Sequence, residues 1–326
     1  MDSQYYFNPY SGQTFFGFFF QLILRFWALI TGQISLENLS SDEVQLLVLA
    51  GVAASSALVG TFLVLRKMTM LANSLSHTIL VGIVIAFLWT YGVGSNVPPH
   101  TEQIGIHILL IASLFMGLVT AFLTELLTKG ARLQEDASTG IVFTSLFAVG
   151  VIAVTLLTRN AHIGTEAVMG NVDALQLGDA KLVYVVLAIN IFIFVLFFKE
   201  FNITTFDPGL SKSFGIAPAF FSYLLMTQVS STSIGAFRAV GVLMVLAFIT
   251  GPALTARLLT STLKKMLLVS VGIGVFASFV GVALSRHILT VYGISLSTAG
   301  VVVCVIVIFY LLAAVYANKH ILLRKF

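Results

Sequence analysis

Charged residues are scarce in this sequence. Only 9% of its 326 residues are Asp, Glu, Lys or Arg, and 58% are hydrophobic, whereas soluble domains are about 25% charged. So few charges cannot cover the surface of a soluble fold of this length, so most of the outer surface must face lipid. The mean hydropathy of +1.03 agrees. The sequence therefore predicts an integral membrane protein.

Several motifs of enzymes and metal centres are also missing. Cys304 is the only cysteine, which excludes an intramolecular disulfide and a cysteine-based metal cage. The sequence contains no Gly-x4-Gly-Lys-Ser/Thr phosphate loop, so the chain cannot hydrolyse ATP by itself. His-Glu-x-x-His and similar paired ligand motifs are absent, which argues against an intramembrane enzyme. The net charge of +4 comes from scattered residues, so we expect no nucleic-acid partner. We also expect no permanently bound cofactor.

Long apolar windows dominate the rest of the chain. A helix needs about 20 apolar residues to cross the hydrocarbon core of a bilayer. Nine windows qualify, near residues 44–65, 76–92, 105–127, 139–157, 181–198, 218–234, 239–258, 266–285 and 298–317. The predicted fold is therefore all-α, a polytopic bundle of nine membrane-spanning helices. We divide the chain into an N-terminal segment, 1–43, and a transmembrane domain, 44–326.

The segment from Phe15 to Ile30 is a possible tenth span. It is rich in aromatic residues but carries Gln21 and Arg25. Its hydropathy is close to the threshold for a span. The sequence is compatible both with a tenth span and with a helix that lies in the membrane interface.

The basic residues orient the chain in the membrane. Nine alternating spans divide the loops into two groups, which contain twelve and four Lys or Arg residues. The first group is Arg66, Lys67, Lys129, Arg132, Lys199, Lys212, Arg257, Lys264, Lys265, Lys319, Arg324 and Lys325; the second is Arg159, Lys181, Arg238 and Arg286. Because cytoplasmic loops carry the excess of basic residues, we expect the first group and the C-terminus to be cytoplasmic.

Two interior features predict helix packing. Gly274 with Ser278, and Ala277 with Gly281, have the small-xxx-small spacing of closely approaching helices. Asn190 is the polar residue deepest within a span, and we interpret it as a hydrogen-bonding contact between helices.

A candidate ion ligand follows the first predicted span. His77 lies at the start of the next apolar run, and neutral imidazole binds transition metals. Asn73 precedes it by four residues, so both side chains project from one face if the segment is helical. This spacing predicts a transit site for an ion.

A short polar helix is predicted in the cytoplasmic segment 201–218. Asp207 suits an N-cap, Pro208 the first helical position, and Gly215 a left-handed C-terminal residue. Two helical turns are too short to persist alone. We therefore interpret this helix, which includes Leu210 and Phe214, as a docking element for another protein; an interfacial loop helix is the alternative.

Four ordered blocks together resemble the permease subunits of bacterial zinc, manganese and iron ABC importers, over nearly the whole chain from about residue 44 to 317. The blocks are Arg66-Lys67-Met68 to His77 with Val81-Gly82; Arg132 to Phe143; Thr205-Phe206-Asp207-Pro208 to Gly215-Ile216; and Val240-Gly241-Val242-Leu243 to Gly251-Pro252-Ala253 and Arg257.

The resemblance implies a type II importer permease in the bacterial cytoplasmic (inner) membrane. Its transported cargo would be a divalent metal ion, and its 207–215 helix would seat in a separate cytoplasmic ATPase. A second permease subunit and an external metal-binding protein that delivers the ion are also implied. His162 and Glu166 lie four residues apart in a predicted outer loop, where this resemblance implies a receiving site; a solvated loop is the alternative.

One position departs from the family pattern. Asn73 stands where family members usually carry Asp, so an oxygen ligand is kept but its negative charge is lost. This difference fits a pair of two different permeases, the sister chain supplying the carboxylate. It also fits a transit site that does not hold its ion for long.

Other functions remain as alternatives. A related permease for cobalamin or siderophores would share the architecture. A secondary transporter or channel would normally place charged residues near the midplane, where this sequence has no Asp or Glu. Imidazole with amide or carboxylate oxygen suits zinc, manganese and ferrous iron alike, so the sequence does not name the metal.

Overall fold

The computed structural model describes residues 8–33, 35, 38–91, 106–153 and 172–323, and these residues form helices and connecting segments without a β-strand. The helices are α1 (Phe15–Ile30), α2 (Ser41–Leu65), α3 (Thr69–Tyr91), α4 (Ile106–Gly130), α5 (Glu135–Ala153), α6 (Leu177–Leu196), α7 (Phe198–Phe206), α8 (Pro208–Ser213), α9 (Pro218–Val240), α10 (Val242–Leu259), α11 (Leu263–Tyr292) and α12 (Thr298–Leu323). The predicted all-α class is confirmed.

Each of the nine predicted windows coincides with one of these helices, from α2 to α6 and from α9 to α12. Among the described residues, five helices are long and apolar enough to cross a membrane: Ser41–Leu65, Leu177–Leu196, Val242–Leu259, Leu263–Tyr292 and Thr298–Asn318. The count of nine spans remains a prediction.

Helix α2 lies at the centre of the bundle. It packs against α6, α9, α10 and α11, and most of its length is buried. A Cβ atom added at Gly60 would overlap the carbonyl oxygen of Ile249 in α10. The absence of a side chain at Gly60 therefore lets the backbones of α2 and α10 touch.

The small residues of α11 lie at helix contacts, as their spacing predicted. A Cβ atom at Gly274 would lie 3.4 Å from the Cβ of Ala53 in α2. One at Gly281 would overlap Val302 in α12. These positions account for close packing of α11 against two neighbours.

The two ends of α2 define the two ends of the bundle. Arg286 of α11 forms an ion pair with Asp42 at the start of α2, and we call this level the Asp42 end. Arg66 follows the last residue of α2, and we call that level the Arg66 end. The distribution of basic residues predicts that the Arg66 end is cytoplasmic.

Two sequence expectations about connections are wrong. The segment after α6 contains two helices, α7 and α8, rather than one, because Phe201 and Thr204 are buried and fold the preceding residues into α7. The loop expected between the windows 218–234 and 239–258 is helical. Helix α9 continues to Val240, and only Gly241 separates it from α10. Gly241 has φ 82°, a backbone conformation that favours glycine.

Candidate functional site

Helix α8 projects at the Arg66 end and begins as the sequence predicted. The Asp207 Oδ1 accepts a hydrogen bond from the Leu210 backbone N–H at 2.9 Å. Pro208 occupies the first helical position, where the missing N–H costs nothing. Asp207 itself lies outside the helical region, at φ −143° and ψ 86°, and the α conformation is disfavoured for a residue before proline. This geometry separates α8 from α7.

The end of α8 also agrees with the sequence prediction. Gly215 has φ 75°, in the left-handed region. The Ile216 N–H donates to the Ser211 carbonyl at 2.9 Å, and the Gly215 N–H donates to the Lys212 carbonyl at 3.0 Å. This pair of bonds is a Schellman motif, which stops the helix after two turns.

The outer face of α7 and α8 carries exposed apolar side chains. Phe206, Leu210 and Phe214 are 62%, 47% and 66% exposed. Leu210 and Phe214 are four residues apart, so they lie on one side of the short helix. An apolar surface of this kind at the end of a bundle is suited to contact with a partner.

Arg66 joins this element to the central helix. Its Nε donates to Thr205 Oγ1 at 3.1 Å, one terminal nitrogen to Thr204 Oγ1 at 2.9 Å, and the other to Ser222 Oγ at 3.1 Å. The guanidinium carbon also lies 6.0 Å from the centroid of the Phe201 ring. One side chain thus ties α2 to α7 and α9.

A cluster of phenylalanine rings reinforces the same junction. The ring of Phe62 lies 4.7 Å from that of Phe194 and 5.3 Å from that of Phe201. Phe201 also contacts Phe221, with 5.3 Å between centroids. These rings come from α2, α6, α7 and α9, so α7 is packed on three helices of the bundle. A displacement of α8 would therefore reach the bundle through α7.

The sequence did not indicate this role of Arg66. Its charge orients the chain in the membrane, whereas the hydroxyl groups to which it donates lie 138 to 156 residues away in the sequence. Such long-range contacts leave no local pattern. The Arg-Lys pair directly after an apolar run was the only available signal.

The candidate ligands Asn73 and His77 both lie on α3. The helix that their shared face requires is therefore present, and Asn73 is half-buried. His162 and Glu166 lie outside the described residues. Among the described side chains, no group of three or more His, Cys, Asp or Glu residues could hold a metal ion. Metal contact by these four residues stays a prediction.

Asn190 makes the predicted contact between helices. Its side-chain nitrogen donates to Ser55 Oγ at 2.8 Å and to Thr232 Oγ1 at 2.7 Å. Gln228 donates to the Asn190 oxygen at 3.4 Å. The amide thus connects α2, α6 and α9 in the bundle interior, where such bonds contribute about 0.6 kcal/mol on average. The presence of a polar side chain at position 190 is therefore explained by contact between helices.

Comparison with known proteins gives a consistent result. A family model described as the ABC 3 transport family matches residues 43–317. A probable metal transport system membrane protein of Chlamydia muridarum is 40% identical over 320 residues, 98% of each chain. The manganese transport system membrane protein MntD of Bacillus subtilis is 36% identical over 270 residues, covering 76% of this chain and 87% of MntD.

The fold also matches a solved structure. PsaBC from Streptococcus pneumoniae in complex with Fab superposes with a TM-score of 0.67 at 25% identity, covering 82% of this chain and 89% of that chain. The helical arrangement described above is therefore shared with this solved structure.

Replacing Arg66 with Lys should loosen α7 and α8. Three different guanidinium nitrogens bind the three hydroxyl groups, and lysine replaces this rigid planar fork with a single ammonium nitrogen on a flexible stem. Losing about 1 to 2 kcal/mol of local stability corresponds to opening that is 5 to 30 times more frequent. Hydrogen exchange of residues 198–213 is expected to accelerate by that factor. Arg257→Lys, an exposed position at the same end, should leave exchange there unchanged; equal rates in both variants would contradict the role of Arg66.

Proposed function

The chain belongs to the ABC 3 transport family, and from that membership we propose that it is the permease subunit of an ATP-driven importer for a divalent transition metal ion. The observation that carries the proposal is the family match over 43–317, together with a relative of nearly equal length named for metal transport. We place the protein in the bacterial cytoplasmic membrane, with ATP hydrolysis on a separate subunit.

Manganese is our first candidate for the cargo. The similarity to MntD, a manganese transport protein, supports it. Zinc and iron remain compatible with imidazole and amide ligands. A permease for a metal chelate such as cobalamin or a siderophore is the second candidate, which the names of these relatives do not favour.

We propose that α8 couples the permease to its ATPase. The exposed side chains of Leu210 and Phe214 would seat in the ATPase. Arg66 and the phenylalanine cluster then connect α8 to the helices of the bundle. Residues Asp207, Pro208 and Gly215 act by fixing the two ends of α8.

The metal would pass His77 and Asn73 of α3. In this proposal His77 is a transient ligand, because neutral imidazole can replace a water molecule around the metal without adding charge. His162 and Glu166 would receive the ion from an external solute-binding protein.

We also propose that a different sister permease completes the pathway. The supporting residue is Asn73, since an amide lacks the negative charge that favours a divalent cation. A carboxylate from the sister chain would supply that charge.

Introducing charge at Leu210 and Phe214 should detach the ATPase. The double variant Leu210→Asp/Phe214→Asp would place two carboxylates in an apolar contact, and co-purification of the ATPase is expected to fall at least about tenfold, or 1.4 kcal/mol. Thr262→Asp is the matched control. It adds one carboxylate at the Arg66 end outside α8, at the N-cap of α11 where Asp is favoured. Normal ATPase retention by the double variant would contradict the docking role.

Removing the imidazole of His77 should reduce metal uptake. We expect His77→Ala to lower uptake by the assembled transporter about tenfold or more, comparable to other disturbed metal sites, while ATPase co-purification stays normal. His320→Ala, the same change in the last turns of α12, serves as the control. Uptake at the normal rate by the His77 variant would show that other groups line the metal path.

A further inference from the structure

Helix α1 lies across the Asp42 end of the bundle. At its start, the Phe15 N–H donates to His287 Nδ1 at 3.2 Å. Ten residues later, Arg25 forms an ion pair with Glu43, in which a terminal nitrogen lies 3.1 Å from Glu43 Oε2. Arg286 pairs with Asp42, and His287 and Glu43 directly follow these two residues in the sequence. His287 and Glu43 therefore lie at a similar depth in the membrane.

The length of α1 agrees with this placement. Ten residues of helix extend about 15 Å, yet both anchored residues of α1 meet the bundle at one level. A helix that crossed the membrane would reach levels far apart. The whole helix has 16 residues, about 24 Å, which is less than the hydrocarbon thickness of about 30 Å.

The residues before α1 hold it in place. The Tyr10 hydroxyl donates to Glu43 Oε1 at 2.9 Å, and Asn8 donates to Asp42 Oδ2 at 2.7 Å. The rings of Tyr10 and Phe18, both fully buried, are 4.8 Å apart. Burial, aided by the bond to Glu43, raises the pKa of Tyr10 far above its usual range, so its hydroxyl stays a donor.

The opposite face of α1 is an exposed apolar stripe, which we call the aromatic face. Its members recur every three or four residues and are each at least 63% exposed: Phe16, Phe20, Ile23, Trp27 and Ile30. Arg25 is the only charged residue of α1, and Glu43 engages it on the inner side. The aromatic face therefore carries no charge with which to select an anionic or cationic partner.

The aromatic face continues the apolar surface of its neighbour. Helix α1 packs on α11, and Leu289 and Tyr292 near the end of α11 are exposed, as is Ile294 just beyond it. Further along α11, Leu268 and Phe276 are also exposed, as expected of a lipid-facing helix. Exposed apolar side chains thus lie on both helices, and those at the end of α11 are at the level of α1.

We propose that α1 is an interfacial helix whose aromatic face binds the boundary between lipid headgroups and acyl chains at the Asp42 end. Tryptophan and phenylalanine on an amphipathic helix favour that boundary, and the distribution of basic residues makes it the outer leaflet. This segment precedes the region matched by the family model, which begins at residue 43. It is therefore an attachment to the bilayer added to the permease domain.

The depth of two tryptophans tests this proposal in the transporter reconstituted in vesicles. The chain has two tryptophans, Trp27 and Trp89. Trp89→Phe leaves Trp27 as the only one, and Trp27→Phe/Trp89→Phe/Phe20→Trp moves it to the middle of α1. Fluorescence quenching is compared between lipids spin-labelled near the headgroup and lipids labelled near the chain end. A third variant, Trp27→Phe/Trp89→Phe/Phe276→Trp, reports an exposed position near the middle of α11 as the deep control.

For an interfacial helix, the ratio of shallow to deep quenching exceeds one at both positions 20 and 27 and is similar at the two. At position 276 the ratio falls below one. A ratio below one at position 20 or at position 27, as at position 276, would show that α1 enters the hydrocarbon core as a span and would overturn the proposal. Absence of quenching by either lipid at both positions, with normal quenching at 276, would also overturn it, because a protein would then cover the aromatic face.

Discussion

Helix α2 is buried along most of its length, and this burial determines how the surrounding helices can pack. A helix surrounded by four others must present small residues wherever a neighbouring backbone comes close, and Gly60 does so against Ile249. Polar side chains at both ends and near the middle of α2 are paired with other helices. Asp42 meets Arg286 at one end, Ser55 meets Asn190 near the middle, and Arg66 meets three hydroxyl groups at the other end. Both ends and the middle of α2 are thereby fixed to other helices.

The same helix connects the coupling element to the proposed metal path. Helix α2 ends in a Schellman motif, with Lys67 at φ 61° and the Met68 N–H donating to the Leu63 carbonyl at 2.9 Å. Because α3 begins at Thr69, Arg66 and Asn73 are separated by this one tight turn. A force that α8 transmits to Arg66 would therefore act directly beside the start of α3. In the proposed function, this proximity would give a physical route from ATP hydrolysis to the proposed metal ligands on α3.

Local chemistry made some of these features predictable. Asp207, Pro208 and Gly215 follow capping rules that depend only on neighbouring residues, and the structure places all three as expected. The apolar windows located the helices, and the isolated amide of Asn190 indicated a contact between them. Contacts between segments that are far apart in the sequence could not be predicted in this way. Helix α7 forms because Phe201 is buried among rings from three other helices, and the depth of α1 is set by ion pairs and hydrogen bonds to α2 and α11.

The decisive measurement for an ATP-driven metal permease is metal uptake by the assembled transporter. Vesicles would contain this chain, its ATPase and the sister permease, with radioactive manganese or zinc delivered by the solute-binding protein. The account predicts accumulation that requires ATP and that is lost when the sister permease is omitted. Accumulation without ATP would contradict an ATP-driven importer, and transport of cobalamin or a siderophore without manganese, zinc or iron would contradict a metal-ion permease.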